Sequence, residues 1–271
     1  MKNIVFCVVV FMIMTFGLVS AMAQTGSEAL RVTGFQAFKP GEDLTYTIKY
    51  GFIKGGEGRF SVRDTIVNGK RVNHVVVGGR TTGVPDAFFK VRDTYESFID
   101  PLTQLPVMSV RNIREGKYRY YDVATYNHEV GSVSVHKENR HGVRDTTEQV
   151  GPNMLDIVSA FYHARNNSFD ETMSVGDTIS YCTYFGGEVF PLQIKYSGKE
   201  MVKTKWGRVE CYRFSPVTEV GRAFKGKDDM HLWISADDNR LPVKIEFEML
   251  VGSFTCELTN YKGIMQEMKT M

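Results

Sequence analysis

Apolar and polar residues alternate with a period of two along most of the chain, and this pattern predicts β-strands. In residues 44–50, LTYTIKY, every second side chain is apolar, which is typical of a strand that buries one face. The pattern is clearest in residues 243–249, VKIEFEM. Asn68 and Gly69 separate two such runs and are the strongest short signal for a hairpin turn. Further strands are predicted near residues 58–66, 71–78, 105–112, 117–126, 131–137, 190–197, 209–214, 229–235 and 253–260.

One segment departs from this alternation and predicts a helix. Residues 152–169, PNMLDIVSAFYHARNNSF, place apolar side chains at helical spacing. We predict a helix over residues 153–166 that begins at Pro152 or Asn153. Because about three turns are too short to be stable alone, its apolar face must lie on the sheet. A shorter helical turn is predicted over residues 85–89, PDAFF, where Pro and Asp suit a helix N-terminus.

The two halves of the chain resemble each other. GEDLTY at residues 41–46 parallels GDTISY at 176–181, and DTYESFIDPLTQLPV at 93–107 parallels DMHLWISADDNRLPV at 229–243. Matches that keep their order and spacing favour an internal repeat of a six-strand unit, although any two meanders share Gly at strand starts and Pro at strand ends. The two predicted units cover residues 39–126 and 174–262.

A duplicated meander has a consequence for the fold. Each copy has one apolar face and two open edges, and two copies side by side can curl so that the apolar faces meet inside. The helix between them is placed to plug or flank the opening. We therefore predict an all-β, mainly antiparallel fold: a curved sheet that closes into a barrel or half-barrel, built from two similar six-strand meanders with one α-helix between them.

The N-terminus predicts export. Residues 2–22 form one apolar run, and a small-residue site ends at Ala23. This is typical of a cleaved signal peptide, and a retained membrane anchor is the alternative. Gln24 follows the site where a lipidated protein would have Cys. We predict a signal peptide over 1–23 and a single, non-lipidated β-rich domain over 24–271 without a transmembrane segment.

Charge and cysteine content exclude several classes. Lys and Arg number 33 against 31 Asp and Glu, and this near-neutral balance argues against a nucleic-acid partner. Cys182, Cys211 and Cys256 follow the predicted cleavage site, and three thiols permit at most one intramolecular bridge. Buried free thiols are the alternative. The sequence has no C-x-x-C pair, so it does not predict a redox motif or a zinc site.

Signals for catalysis are weak. The chain has neither a G-x-S-x-G elbow nor an H-E-x-x-H motif. His136 and His141 are placed to face each other across a hairpin tip, but they lack a clear third metal ligand. Asp237 and Asp238 lie in a segment typical of a turn. We predict no enzymatic activity, no metal and no cofactor.

The strongest binding signal is in residues 111–121, RNIREGKYRYY, where cations alternate with tyrosines. Aromatic faces beside cations can stack on sugars and pair with anionic groups. Ordinary cross-strand pairing on a half-wet sheet is the alternative. The candidate ligand-binding residues are Arg92, Tyr95, Arg111, Arg114, Tyr118 and Tyr120.

Several sequence motifs, in a fixed order over residues 35–262, carry a family resemblance. They are FKPGEDLTYTIKYGFIKGGEG, FKVRDTYESFID, DIVSAFYHAR and LWISADDNRLPV. In them the chain resembles the exported bacterial family known as domain of unknown function 3108. The resemblance implies a periplasmic, strand-rich protein without an established activity, so it assigns no site residue. The expected shape is also similar to the curved sheets of periplasmic lipoprotein carriers, at the level of fold alone.

These observations favour a non-enzymatic periplasmic protein that binds an envelope component, either a lipid-like chain inside the barrel or a glycan at its rim. An envelope assembly or scaffold protein with a filled core, whose partner is another envelope protein, is the alternative. An enzyme acting on glycans is a minor alternative.

Overall fold

The computed structural model describes residues 30, 32–216, 230–248 and 252–271, so the predicted signal peptide lies outside the described residues. Within these ranges the chain forms fourteen β-strands and two α-helices. In chain order they are β1 (Asp43–Tyr50), β2 (Ile53–Val67), β3 (Lys70–Thr81), α1 (Gly83–Phe88), β4 (Arg92–Ile99), β5 (Pro106–Glu115), β6 (Tyr118–Asn127), β7 (Ser132–Asn139), β8 (Gly142–Gln149), α2 (Ile157–Asn167), β9 (Thr178–Phe185), β10 (Glu188–Thr204), β11 (Gly207–Pro216), β12 (Met230–Ser235), β13 (Pro242–Glu248) and β14 (Ser253–Lys262).

All fourteen strands belong to one antiparallel sheet. Strands that follow each other in the chain pair with each other, and β1 pairs with β14, so the order runs from β8 through β1 and β14 to β9. No ladder joins β8 to β9 in the described part of the chain, so the sheet is curled but not closed by hydrogen bonds. The predicted all-β, barrel-like fold is confirmed. The hairpin β7–β8 extends the first meander. The helical turn predicted over residues 85–89 is present as α1, a six-residue helix.

Local sequence explains the strands and their turns. In β1, Leu44, Tyr46 and Ile48 are buried while the side chains between them are more exposed, as the alternation predicts. Asn68 and Gly69 have φ angles of +50° and +78°, which suit a tight two-residue hairpin between β2 and β3. The hairpin predicted from these two residues is confirmed.

Helix α2 begins later than predicted. Asn153 has a φ of +56°, which is left-handed backbone, so neither it nor Pro152 starts the helix. Asp156 is the N-cap: its side chain accepts hydrogen bonds from the backbone N–H groups of Val158 and Ser159 at 2.8 and 2.9 Å. The Ser159 hydroxyl in turn accepts from the Asp156 N–H at 2.9 Å, which completes a capping box.

The interior of the curled sheet is filled with side chains. Tyr46, Ile48, Phe247 and Phe254, from the strands around the β1–β14 pair, are each at most 9% exposed. They belong to the same hydrophobic core as Tyr162 of α2. The helix therefore fills the space between the walls, as a plug that the sheet buries on nearly all sides.

One ion pair joins the plug to both meanders. Arg165 of α2 and Glu42, just before β1, are both fully buried. Arg165 donates to the two carboxylate oxygens of Glu42 at 2.7 and 2.8 Å, and to the carbonyl oxygen of Asn239, between β12 and β13, at 2.9 Å. Such a bidentate pair fixes orientation as well as position.

The two meanders begin with the same turn. Gly41 before β1 and Gly176 before β9 both have a φ of +103°. The Gly41 N–H donates to the Val62 carbonyl oxygen at 2.8 Å, and the Gly176 N–H donates to that of Tyr196 at 2.9 Å. Common descent of the two units stays a prediction, which these matching hydrogen bonds favour.

The structure also bears on two further predictions, which concern the pairing of the cysteines and the presence of membrane-spanning segments. Cys182, Cys211 and Cys256 are free thiols, and only Cys182 is exposed. Among the described residues, no helix has the length and apolar character needed to cross a bilayer.

Candidate functional site

A cavity of about 220 Å³ lies where the two ends of the sheet approach each other. One wall is formed by β4 to β8, and the other by the β9–β10 hairpin with Tyr184 and Phe185. The start of α2 contributes Asp156 and Val158. We call this space the seam cavity.

The segment before α2 holds the two walls in place. The Leu155 N–H donates to the Cys182 carbonyl oxygen at 3.3 Å, and the Tyr184 N–H donates to the Leu155 carbonyl oxygen at 2.8 Å. These bonds form a parallel bridge to β9. The Asp156 side chain also accepts from the Ser97 hydroxyl of β4 at 2.6 Å. The helix start is therefore attached to both sides of the seam.

A row of five polar side chains crosses the first wall. Tyr95, Arg111, Asp122, Lys137 and Arg144 are directly opposed neighbours on β4, β5, β6, β7 and β8. Side chains at directly paired positions point to the same face of a sheet, about 5 Å apart. All five line the seam cavity.

Arg111, the second residue of the row, already has its charge and the hydrogen-bond donors on Nε and Nη2 partnered within the protein. Its guanidinium forms an ion pair with Asp122 and donates to the Tyr120 hydroxyl at 2.7 Å. It also lies over the ring of Phe185, with 4.3 Å between the guanidinium carbon and the ring centre, so it contacts the opposite wall. Burial lowers the pKa of Arg111, but the hydrogen bonds to Asp122 and the negative charge of Asp122 together outweigh this, and the pKa is raised overall. This charge is compensated within the protein.

The end of the row carries two cations without such a partner. Lys137 is half-buried and Arg144 is exposed, and neither forms an ion pair with an acid of the described chain. The Lys137 ammonium lies 5.1 Å from the centre of the Tyr120 ring. An anionic group in the cavity would meet both cations beside an aromatic face.

Most acids in the wall are engaged elsewhere. Glu96 binds His74 at 2.6 Å, Asp122 binds Arg111, and Asp156 caps α2. Burial raises the pKa of Asp156, although its hydrogen bonds oppose the shift. Glu148 is the remaining carboxylate that lines the cavity. The charge left for a ligand is therefore positive on the Lys137–Arg144 side.

The structure brings together three of the six predicted binding residues. Tyr95, Arg111 and Tyr120 line the seam cavity, where Tyr95 is buried and Arg111 is paired. The other three lie outside it. Arg92 forms an ion pair with Asp86 of α1, Arg114 lines a separate shallow depression, and Tyr118 is 44% exposed at the β5–β6 turn.

Sequence reasoning missed Lys137 and Arg144. The signal that identifies them is register: the tight turn between Asn139 and Gly142 places Lys137 opposite Arg144. The two histidines of this hairpin do not face each other. His136 lies opposite Asp145 and binds it at 2.7 Å, while His141 is in the turn next to Arg140. In the described residues no group of three potential ligands is placed to hold a metal ion.

Comparison with known proteins supports the fold. The chain is similar to a crystal structure of a β-barrel-like protein of domain of unknown function DUF1849 from Brucella abortus, with a TM-score of 0.52 and 10% sequence identity. The match covers 83% of this chain and 98% of that chain, and it shows the fold alone. No curated protein matches the sequence. The family model described as a protein of unknown function, DUF3108, matches residues 45–259, and the chain belongs to this family.

Proposed function

We propose that the protein is a non-enzymatic binding protein of the bacterial envelope, and that the seam cavity holds a small anionic group of an envelope glycan. The observation that carries the proposal is the pair of cations, Lys137 and Arg144, that ends the polar row and has no ion-pair partner among the described residues. The ring of Tyr120 lines the same cavity beside the Lys137 ammonium, and the ring of Phe185 lines the opposite wall. The predicted signal peptide supports the envelope location.

The size of the cavity restricts the ligand. Pockets for drug-sized molecules have volumes of roughly 300–1,000 Å³. The seam cavity, at about 220 Å³, is smaller and suits one acidic sugar unit better than a whole oligosaccharide. The filled interior of the sheet argues against an acyl chain along the barrel axis, so the glycan alternative is favoured over the lipid-like one.

Calorimetric titration with an oligosaccharide of uronic acids and with its neutral counterpart tests this proposal. We expect binding of the acidic oligosaccharide alone. The variant Lys137→Gln/Arg144→Gln loses two charge-assisted hydrogen bonds at about 1.5 kcal/mol each, so binding should weaken about 100-fold. The matched control is Arg63→Gln/Lys70→Gln, because both side chains are exposed on β2 and β3 and do not line the cavity. Equal binding by both variants, or equal binding of the neutral sugar, would contradict the proposal.

A scaffold role is the second candidate, and the outer edge of β8, which pairs with no other strand of the described chain, favours it. An exposed sheet edge can accept a strand from another protein. A photo-crosslinking residue at Val143 on β8 should then give one dominant protein adduct in cells. A ladder of weak adducts without a main product would argue against this role.

A further inference from the structure

Helix α1 is oriented opposite to a usual surface helix. Its polar side chain faces the protein: Asp86 accepts from the Thr81 hydroxyl at 2.6 Å and forms an ion pair with Arg92 at 2.7 Å. Its apolar side chains face outward, with Val84 71% exposed and Phe88 86% exposed, and none of its residues is buried. A surface helix of a soluble protein normally buries its apolar stripe. The exposed side chains of α1 therefore contribute little to folding.

Two neighbouring turns extend this exposed surface. The turn between β1 and β2 carries Phe52, 95% exposed, and Ile53, 50% exposed. The start of β2 holds the N-cap of α1 beside this turn, because the Thr82 N–H donates to the Gly55 carbonyl oxygen at 3.0 Å. On the other side of α1, the ring of Phe89 lies against Gly116 in the β5–β6 turn. We define the apolar rim as Phe52, Ile53, Val84, Phe88 and Tyr118.

The charge around the apolar rim is positive. Lys54, Lys90 and Lys117 are exposed beside its residues, and none of them forms an ion pair with an acid in the described ranges. The nearby acids are compensated or shielded. Glu57 binds Arg80 and Asp86 binds Arg92, while Glu115 is half-buried.

We propose that the apolar rim docks the protein on the surface of an anionic phospholipid bilayer. Aromatic side chains next to lysines are the combination that binds such a surface, because the rings enter the headgroup region while the cations meet lipid charge. Charge complementarity disfavours a second copy of the chain as the occupant, since a symmetric contact through this rim would bring its lysines together. The proposal is independent of what the seam cavity holds.

Co-sedimentation with vesicles tests the proposal. The vesicles contain either phosphatidylcholine alone or phosphatidylcholine with one third phosphatidylglycerol, and we expect stronger binding to the anionic ones. Phe52→Ser/Phe88→Ser should lower the partition coefficient about 100-fold, at about tenfold for each phenylalanine removed from the interface. Lys54→Gln/Lys117→Gln should lower binding to anionic vesicles about fivefold per lysine and leave binding to neutral vesicles unchanged.

Ile66→Ser/Leu102→Ser is the matched control, because these side chains are 71% and 84% exposed at the opposite end of the sheet. It should bind like the wild type. All variants are purified after export, so that the predicted signal peptide, residues 1–23, is absent from the vesicle assay. Equal losses for the control and the rim variant would overturn the proposal, as would equal binding to both kinds of vesicle. A wild-type dimer that Phe52→Ser/Phe88→Ser dissociates in sedimentation velocity would assign the rim to a second copy instead.

Discussion

Removal of either member of the Arg165–Glu42 pair should destabilise the protein more than removal of both. In Arg165→Met, the Glu42 carboxylate stays fully buried and keeps only the Tyr162 hydroxyl, at 3.4 Å, among the side-chain donors that bind it here. In Glu42→Leu, the Arg165 guanidinium keeps two backbone carbonyl oxygens but no counter-charge. A buried charge left without its partner typically costs about 3–5 kcal/mol, which is a large share of the stability of a single domain.

The double variant Glu42→Leu/Arg165→Met removes both charges and keeps the apolar volume. The carbonyl oxygens of Ala37 and Asn239 lose a donor, which costs about 1–2 kcal/mol in total. The free energy of unfolding of the double variant should therefore be larger than that of either single variant and smaller than that of the wild type.

Urea unfolding followed by tryptophan fluorescence measures these free energies. If a single variant fails to fold, recovery of a folded, cooperative double variant supports the same reasoning. Additive losses, with the double variant the least stable of the three, would refute it, because they would mean that the two side chains act independently.

Two further predictions concern buried ionisable groups. Burial raises the pKa of Asp93 to about 7, from 3.8. The folded state then holds a proton that the unfolded chain releases, so stability should fall between about pH 4 and pH 7 and be level above that. Burial also raises the pKa of Glu115 to about 7, so Asp93→Asn should reduce this decline in urea unfolding without abolishing it, and an unchanged slope would contradict the assignment. For the thiols, a maleimide should label Cys182 in the folded protein and Cys211 and Cys256 only in urea, since burial raises the pKa of Cys256 to about 12. Labelling of all three without urea, read by peptide mass spectrometry, would show that the core opens.

The sequence predicts the sheet well because most of its information is local. Alternation identifies strands such as β1 and β13, and Asn68 and Gly69 identify a turn, since each depends on neighbouring residues alone. The start of α2 was misplaced because its cap is decided by side-chain hydrogen bonds. The side chains of Asp156 and Ser159 each accept a hydrogen bond from the other residue's backbone N–H, and the spacing of apolar residues does not reveal these bonds.

The candidate site is predicted only in part because it depends on distant strands. Arg111 and Tyr120 are predicted from the alternation of cations and tyrosines over residues 111–121, but this alternation does not reveal that Asp122 neutralises Arg111. One strand lies between Arg111 and Lys137, and two lie between Arg111 and Arg144, so the two cations join the site only through register. Arg92 matches the same cation–tyrosine pattern, yet α1 supplies Asp86 as its partner.

The open seam also determines where the wall of the molecule yields first. Separating two neighbouring strands within the sheet breaks a full ladder of hydrogen bonds. Separating the β9–β10 hairpin from the wall formed by β4 to β8 breaks side-chain contacts, such as that of Arg111 over Phe185, and no ladder between described strands. Leu155, whose backbone bridges to β9, keeps the hairpin attached to the segment before α2. We therefore expect local opening of the sheet to begin at the seam, where the fewest backbone hydrogen bonds have to break.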